Sequence, residues 1–235
     1  MALRELSGPR LPAAQGDATH LVVLCHGYGA DGNDLIGLAP YWQRLLPTVA
    51  FAAPNAPQPC AGAGYQWFPI ARLDPQEMTR GVESAAKALD AFLDAELGRQ
   101  GLAPDKLALI GFSQGTMMSL HVGLTRAAKP ACIVGFSGML ATQPPPLGMD
   151  APPILLVHGE ADPMIPAGAL FDAASRLGAA GAAVQWHVSR GLGHSIDETG
   201  IMLTGRHLAL SFRGELRRSG PEISCRVAEM SHRIA

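Results

Sequence analysis

The chain has 235 residues, of which 48% are hydrophobic and 16% charged, and its formal net charge at pH 7 is -2. A chain of this length and hydrophobicity can bury one full core, so we expect a single domain over residues 1–213 and a C-terminal extension over residues 214–235. Acidic and basic residues are interspersed, and the absence of a basic stripe argues against nucleic acid as a partner.

The cysteines and the N-terminal residues indicate in which cellular compartment the protein is expected. Cys25, Cys60, Cys132 and Cys225 are widely separated and form no CxxC pair, which argues against a disulfide framework or a zinc site. The first 16 residues lack the apolar core of a signal peptide, and no stretch approaches the roughly 18 apolar residues of a membrane span. We therefore expect a cytoplasmic protein without stable membrane insertion. A homodimer is compatible with the sequence, although no pattern in it specifies one.

Strand-like and helical patterns alternate along the chain. The strand-like runs are mostly continuous rather than alternating in hydrophobicity, which is typical of parallel strands covered on both faces. The alternation predicts an α/β fold with a doubly wound, mostly parallel sheet and helices on both faces. The strand-like runs cover residues 20–26, 49–54, 106–112, 131–136, 153–158 and 184–189, and the helical patterns cover residues 34–46, 75–97, 114–127, 167–177 and 196–212.

Two helix starts and two loops stand out. Asp74-Pro75-Gln76-Glu77 predicts an N-cap followed by an N1 proline, and Ser195-Ile196-Asp197-Glu198 predicts a capping box directly after His194.

Residues 54–73 and 137–153 fit neither a helix nor a strand. Because ligands bind beyond the carboxyl ends of parallel strands, and both loops follow strands, we expect these loops at the rim of a pocket.

Ser113 lies in the motif Gly111-Phe112-Ser113-Gln114-Gly115, between a strand-like run and a helical run. GxSxG requires this context, because the serine sits on a strained strand-to-helix turn where flanking glycines remove side chains that would collide. The motif also occurs by chance in glycine-rich sequences, so the evidence for a catalytic serine is the predicted strand before it and the predicted helix after it. They favour Ser113 as a nucleophile, and the helix N-terminus behind it favours the negative charge that develops during acyl transfer.

A serine nucleophile needs a base, and His194 is the candidate. In this context the order along the chain is Ser, acid, His, and His194 lies in the loop GLGHS between a strand and a helix. The simpler interpretation is a loop histidine that merely flanks the helix cap. The other histidines after Ser113 lie in strand runs, in helices or in the last residues of the chain: His121, His158, His187, His207 and His232.

The orienting acid should follow a later strand, where Glu160 and Asp162 are both available. We predict Asp162, because Pro163 and Pro166 stiffen the loop around it, and we expect Glu160 to be a solvated loop acid. The simpler interpretation of Asp162 is an Asx-turn residue before a proline.

Acyl transfer also needs an oxyanion hole of two backbone N–H groups, each lowering the barrier by about 3 kcal/mol. One candidate is the N–H of Gln114, which follows the nucleophile. The other is the N–H of Tyr28, in the glycine-rich loop after the first strand.

The same loop matches two other motifs. Gly27, Gly29 and Gly32 match GxGxxG, but a dinucleotide site would require an acid about 20 residues later, and residues 49–57 contain none. The segment from Asp31 resembles a calcium loop, whose twelfth position here holds Trp42 instead of a bidentate acid. We therefore expect neither a cofactor nor a metal.

Four ordered motifs, HGYGADGND, GFSQGTMM, HGEADPMIP and GLGH, resemble the phospholipase/carboxylesterase family, which includes bacterial carboxylesterases, lysophospholipases and acyl-protein thioesterases. The resemblance runs from about residue 22 to about residue 212. It implies the α/β-hydrolase fold, a triad of Ser113, Asp162 and His194, and an oxyanion hole formed by the backbone of Tyr28 and Gln114.

The resemblance also implies an acyl site along the loops that follow the strands. The side chains placed there by position are Trp67, Phe68, Met139, Leu140, Met164 and Ile165. Many relatives carry an acid after the Trp-Phe pair, where this chain has Pro69, and the residues from Arg213 onward extend past the usual end.

These features predict a serine carboxylesterase that hydrolyses small-molecule or lipid-like esters of small or medium acyl chains through an acyl-enzyme. An acyl-protein thioesterase or a lysophospholipase is the closest alternative, because the motifs do not separate these activities. A noncatalytic binding protein that keeps the fold is an alternative of another class, and it would show a broken triad or a blocked turn at the serine. Every catalytic position is filled here.

Overall fold

The computed structural model describes residues 5–62, 64–71 and 74–216, which form alternating strands and helices. The strands are β1 (Arg10–Leu11), β2 (His20–Cys25), β3 (Val49–Ala52), β4 (Gln58–Pro59), β5 (Tyr65–Gln66), β6 (Leu107–Phe112), β7 (Cys132–Phe136), β8 (Ile154–Gly159) and β9 (Val184–Ser189). The helices are α1 (Gly32–Ile36), α2 (Ala39–Gln43), α3 (Pro75–Gln100), α4 (Gln114–Thr125), α5 (Gly168–Ala179) and α6 (Glu198–Phe212), and a 3-10 turn covers Pro104–Lys106.

The central sheet has the order β1-β3-β2-β6-β7-β8-β9. Every neighbouring pair is parallel except β1 with β3, which is antiparallel. The sequence prediction of a mostly parallel, doubly wound sheet is therefore confirmed.

Both faces of the inner strands β2, β3, β6, β7 and β8 are buried, which explains why these strands are continuously apolar. On β6, Leu107 and Leu109 belong to the core under α3, α4 and α5, whereas Ala108 and Ile110 belong to the core under α1, α2 and α6. Successive side chains of a strand point to opposite faces, so burial on both sides requires apolar residues at every position.

The chain order reverses between β2 and β6, because β3 lies on one side of β2 and β6 on the other. In a doubly wound sheet the crevice beyond the carboxyl ends of the strands at such a switch point is where ligands bind. The loop after β2 begins with His26, and the turn after β6 holds Ser113. The topology therefore brings the two segments singled out by sequence to one edge of the sheet.

Several predicted elements differ from the structure. The helix predicted over residues 34–46 is two short helices, α1 and α2, because Pro40 has no N–H to continue the bonding pattern from the turn before it. The capping box at Ser195 is also wrong. Asp197 is the N-cap of α6, and its side chain accepts a hydrogen bond from the N–H of Gly200. The predicted N-cap Asp74 is confirmed, and it accepts from the N–H groups of Gln76 and Glu77.

The strands β1, β4 and β5 had no counterpart in the sequence prediction, since two residues are too few to show a periodic pattern. The β4–β5 hairpin lies within the segment predicted as an irregular loop over residues 54–73. Of the predicted C-terminal extension, residues 217–235, including Cys225 and His232, lie outside the described residues. None of the helices within the described ranges is both long and apolar enough to cross a bilayer.

His207 on α6 is a buried titratable group within this fold. It is 2% exposed, and its Nδ1 lies 3.3 Å from Oε1 of Gln185. Burial lowers the pKa of His207 to about 4, against about 6.5 for the same side chain in an unfolded chain. Between these pH values the unfolded chain binds a proton that the folded protein does not, so stability falls as the pH falls.

We expect His207→Gln to flatten this pH dependence, because glutamine does not titrate. Lowering the pH from about 7.5 to about 5 should cost the wild type about 2 kcal/mol more free energy of unfolding than the variant, as measured by urea denaturation at both pH values. An equal loss in the two proteins would contradict a neutral, buried His207.

Candidate active site

Ser113 occupies a strained backbone turn between β6 and α4. Its φ of 54° is one that non-glycine residues rarely adopt. The surroundings hold it there, since its N–H donates to the carbonyl oxygen of Phe136 at 2.9 Å. The hydroxyl oxygen of Thr116 lies 2.8 Å from the carbonyl oxygens of both Gly111 and Phe136, which ties the turn to the end of β7.

The glycines on either side of this turn are sterically required. A Cβ on Gly111 would overlap the backbone of Gly115, and a Cβ on Gly115 would overlap the carbonyl oxygen of Cys25 at the end of β2. The close approach of α4 to β2 is therefore possible only with glycine at position 115.

His194 and Asp162, which lie 32 residues apart, form a hydrogen-bonded pair. Nδ1 of His194 lies 2.7 Å from Oδ2 of Asp162. The Asp162 side chain is fully buried, whereas that of His194 is 20% exposed. The imidazole packs against the ring of Phe112, with ring centroids 4.9 Å apart.

The loop after β8 keeps the Asp162 carboxylate charged. Burial by itself would raise its pKa, but hydrogen bonds from His194 and from the N–H groups of Ile165 and Met164, together with the charge of His194, outweigh burial and leave the pKa below its usual value. The two N–H groups donate to Oδ1 at 2.8 Å (Met164) and 2.9 Å (Ile165), which leaves Oδ2 for His194.

Ser113 and His194 line one cavity of about 370 Å³. Most of the other side chains around it are apolar, and one carboxylate, that of Asp34, stands among them. The remaining lining residues are Gly27, Tyr28, Ala30, Ile70, Phe112, Gln114, Met117, Met164 and Ile165.

The buried His26 sets the orientation of the peptide that carries the N–H of Tyr28. The N–H of Ala56 donates to Nε2 of His26 at 3.0 Å, so the ring proton of the neutral imidazole is on Nδ1, which donates to the carbonyl oxygen of Gly27 at 2.7 Å. Burial lowers the pKa of His26 and favours this neutral form. In a trans peptide the C=O of Gly27 and the N–H of Tyr28 point in opposite directions, so holding one fixes the other.

The side chain of Gln114 ties α4 to the segment after β5. Its Oε1 accepts from the N–H of Trp67 at 2.9 Å, and its Nε2 donates to the carbonyl oxygen of Phe68 at 2.8 Å. The indole N–H of Trp67 donates in turn to the carbonyl oxygen of His26 at 2.9 Å. Among the described residues the backbone N–H groups of Tyr28 and Gln114 have no acceptor, so both are available to a ligand.

Only some of the residues predicted to form the acyl site lie at the cavity that contains Ser113 and His194. Met164 and Ile165 line the cavity, whereas Trp67 and Phe68 are fully buried in the core. Leu140 is also a core residue, and Met139 borders a separate, smaller cavity. Trp67 and Phe68 serve the site indirectly, through the backbone contacts with Gln114 and His26.

Sequence reasoning did not single out Ile70, Phe112 or Met117 as residues that line the cavity, nor His26 as the buried side chain that bonds to the carbonyl of Gly27. Met117 follows Ser113 by four residues, one helical turn, so helical periodicity could have placed it on the same face. Nothing in the local sequence around Ile70 or His26 marks their roles, which depend on contacts across the fold.

The model of the phospholipase/carboxylesterase family matches residues 7–212 of the chain. The chain belongs to this family. Because phospholipases and carboxylesterases both cleave ester bonds, this family member is a hydrolase that acts on ester bonds.

Relatives of this family member include thioesterases and esterases. Acyl-protein thioesterase 1 of Gibberella zeae is 31% identical over 208 residues, which span 80% of this chain and 88% of the relative. Esterase YpfH of Escherichia coli is 26% identical over 204 residues, which span 86% and 85% of the two chains.

Solved structures of other proteins share the fold of this chain. The crystal structure of esterase PE8 has a TM-score of 0.82 and 39% identity, covering 91% of this chain and all of its own. The Bacillus cereus carboxylesterase, at 18% identity and a TM-score of 0.74 over 88% of this chain and 94% of its own, shares the fold.

We expect Gly115→Ala to destabilise the protein by about 3 kcal/mol or more, because the added Cβ would force α4 away from β2. Gly98→Ala is the matched control, since Gly98 lies in α3 with open space where its Cβ would stand, and it should stabilise the protein by about 0.5–1 kcal/mol. Thermal and urea denaturation measure both. Wild-type stability in Gly115→Ala would contradict the close approach.

Proposed function

We propose that the protein is a serine esterase in which Ser113, His194 and Asp162 are the catalytic triad. The single observation that carries the proposal is the 2.7 Å contact between His194 Nδ1 and the buried Asp162 carboxylate, beside the same cavity as the strained Ser113 turn. A base oriented by a buried acid, beside a nucleophile that lines the same cavity, is the arrangement that acyl transfer requires.

In the proposed reaction, Nε2 of His194 takes the proton of the Ser113 hydroxyl while the serine oxygen attacks the ester carbonyl. The resulting oxyanion accepts hydrogen bonds from the N–H groups of Tyr28 and Gln114. The proton then passes from His194 to the leaving alkoxide, which departs as an alcohol and leaves an acyl-enzyme. Water, deprotonated by His194, hydrolyses the acyl-enzyme and regenerates Ser113.

The size of the cavity supports a substrate whose acyl group is of short or medium length. Its volume of about 370 Å³ lies near the lower end of the roughly 300–1,000 Å³ range of small-molecule sites, and its wall at Ile70, Met117, Met164 and Ile165 is apolar. Apolar burial stabilises each added CH₂ of an acyl chain by about 0.8 kcal/mol until the wall is reached.

A second candidate, thioester hydrolysis, is favoured by one specific observation. A relative at 31% identity, which this chain matches over 88% of its length, is acyl-protein thioesterase 1. The same triad and oxyanion hole serve both substrates, which differ in the leaving group. The proposed preference for oxygen esters of short or medium chains is therefore a question of relative rates.

We expect Ser113→Ala to lower kcat for p-nitrophenyl esters by about 10⁶-fold, because it lacks the nucleophile, and Asp162→Asn to lower it by about 10⁴-fold, because it fails to hold the required imidazole tautomer. The control is Ser84→Ala, an exposed hydroxyl on α3, which should leave the rate unchanged. Turnover of these esters by Ser113→Ala at the wild-type rate would contradict the proposal. Faster turnover of long acyl thioesters than of matched oxygen esters would move the assignment to a thioesterase.

We expect Met117→Ala to shift the preferred p-nitrophenyl ester towards longer acyl chains, because it removes side-chain volume from the cavity wall. Met118→Ala is the matched control, since Met118 is the next buried methionine of α4 and is not a lining residue. Both variants should lose about 2–5 kcal/mol of stability. A chain-length profile from acetyl to palmitoyl measures the shift, and identical profiles in the two variants would contradict the assigned wall.

A further inference from the structure

A second histidine contacts the carboxylate of Asp162. His158 lies near the end of β8, and the residue is 2% exposed. Its Nε2 is 2.8 Å from the carbonyl oxygen of Ile165 and 3.3 Å from Oδ2 of Asp162. The proposed mechanism gives this side chain no role.

The partners of Nε2 determine where the proton of this imidazole lies. A carbonyl oxygen and a carboxylate oxygen both accept hydrogen bonds and cannot donate them. Nε2 of His158 must therefore carry hydrogen, and it donates that hydrogen to the carbonyl oxygen of Ile165. The ring needs no positive charge to do so.

Three donors hold the Asp162 carboxylate. The backbone N–H groups of Met164 and Ile165 donate to Oδ1, and Nδ1 of His194 bonds to Oδ2, with His158 Nε2 lying 3.3 Å from the same Oδ2. Bonds to both oxygens restrict rotation of the carboxylate about its Cβ–Cγ bond. A buried carboxylate with each oxygen held in this way stays ionised and points its Oδ2 in one direction.

His158 also anchors the loop that carries Asp162. Ile165 donates its N–H to Asp162 Oδ1 and accepts from His158 at its carbonyl oxygen, so one residue links the two side chains. The same Ile165 forms part of the cavity wall. Loss of the His158 donor would loosen the carboxylate and the loop together.

We propose that His158 is a positioning residue, whose Nε2–H holds the carbonyl oxygen of Ile165. Because the N–H of the same Ile165 donates to Asp162, this bond keeps the carboxylate in the orientation that His194 requires. The inference rests on the proposed triad. His158 acts through Asp162 and touches neither substrate nor the reacting atoms.

Three substitutions separate this role from simple packing. In His158→Gln the amide Nε2 stands as many bonds from the backbone as the imidazole Nε2 and keeps a donor there. In His158→Asn the amide nitrogen corresponds to the other ring nitrogen, and His158→Leu has no donor. Stability measured by urea denaturation reports packing for each variant.

We expect His158→Leu and His158→Asn to lower kcat for short p-nitrophenyl esters by about tenfold, with KM nearly unchanged, because the reacting geometry is loosened and the cavity is not. His158→Gln should retain most of the wild-type kcat. A role in packing alone would instead make kcat follow stability, with no advantage for glutamine over asparagine. Either that pattern or wild-type kcat in His158→Leu would overturn the proposal.

Proton NMR of the resting protein supplies a readout besides activity. The hydrogen between His194 Nδ1 and Asp162 Oδ2 should give a downfield resonance in the wild type and in His158→Gln, and this resonance should move or broaden in His158→Asn. An unchanged resonance in His158→Asn would overturn the inference. Failure of the triad itself is distinguishable, since only then would Ser113→Ala retain activity.

Discussion

The strained turn at Ser113 is the constraint on which the rest of the site depends. A φ of 54° is stable there only because the Ser113 N–H has an acceptor on β7 and because glycines at 111 and 115 let α4 approach β2. Conformations of this kind cost about 1–3 kcal/mol and persist only where surrounding contacts over-determine them. The cost is offset by a sheet that is buried on both faces, and the turn leaves the hydroxyl facing the cavity with the helix N-terminus behind it.

A buried negative charge organises the other half of the site. The Asp162 carboxylate is removed from water, which is unfavourable for an ion unless hydrogen bonds replace the lost solvent. Here two backbone N–H groups and the imidazole of His194 replace it. A network of this kind is rigid because every member is needed to satisfy the charge, and it presents His194 to the cavity in one orientation.

Buried side chains hold the backbone N–H groups of Tyr28 and Gln114, which are the proposed oxyanion donors. Trp67 bonds to His26 through its indole and to Gln114 through its backbone N–H, so one buried residue connects both donor segments. His26 then orients the peptide that carries the N–H of Tyr28. The two N–H groups come from elements more than 80 positions apart in sequence, and their relative placement is held by core packing and by these three side chains.

The sequence by itself determined the six main strands to within two residues, the parallel sheet, and the family, because continuous apolar runs and four ordered motifs are local signals. It also singled out Ser113, Asp162 and His194, since chain order and the neighbouring strands restrict the choice. Only the tertiary structure decided that Asp162 and His194 pair and that Trp67 and Phe68 are core rather than cavity wall. It also decided that His26 bonds to the carbonyl of Gly27 and His158 to that of Ile165. Each of these outcomes depends on contacts between residues that no periodic pattern links, and whether an aromatic or an imidazole is buried or lines a cavity is decided by what packs on its far side.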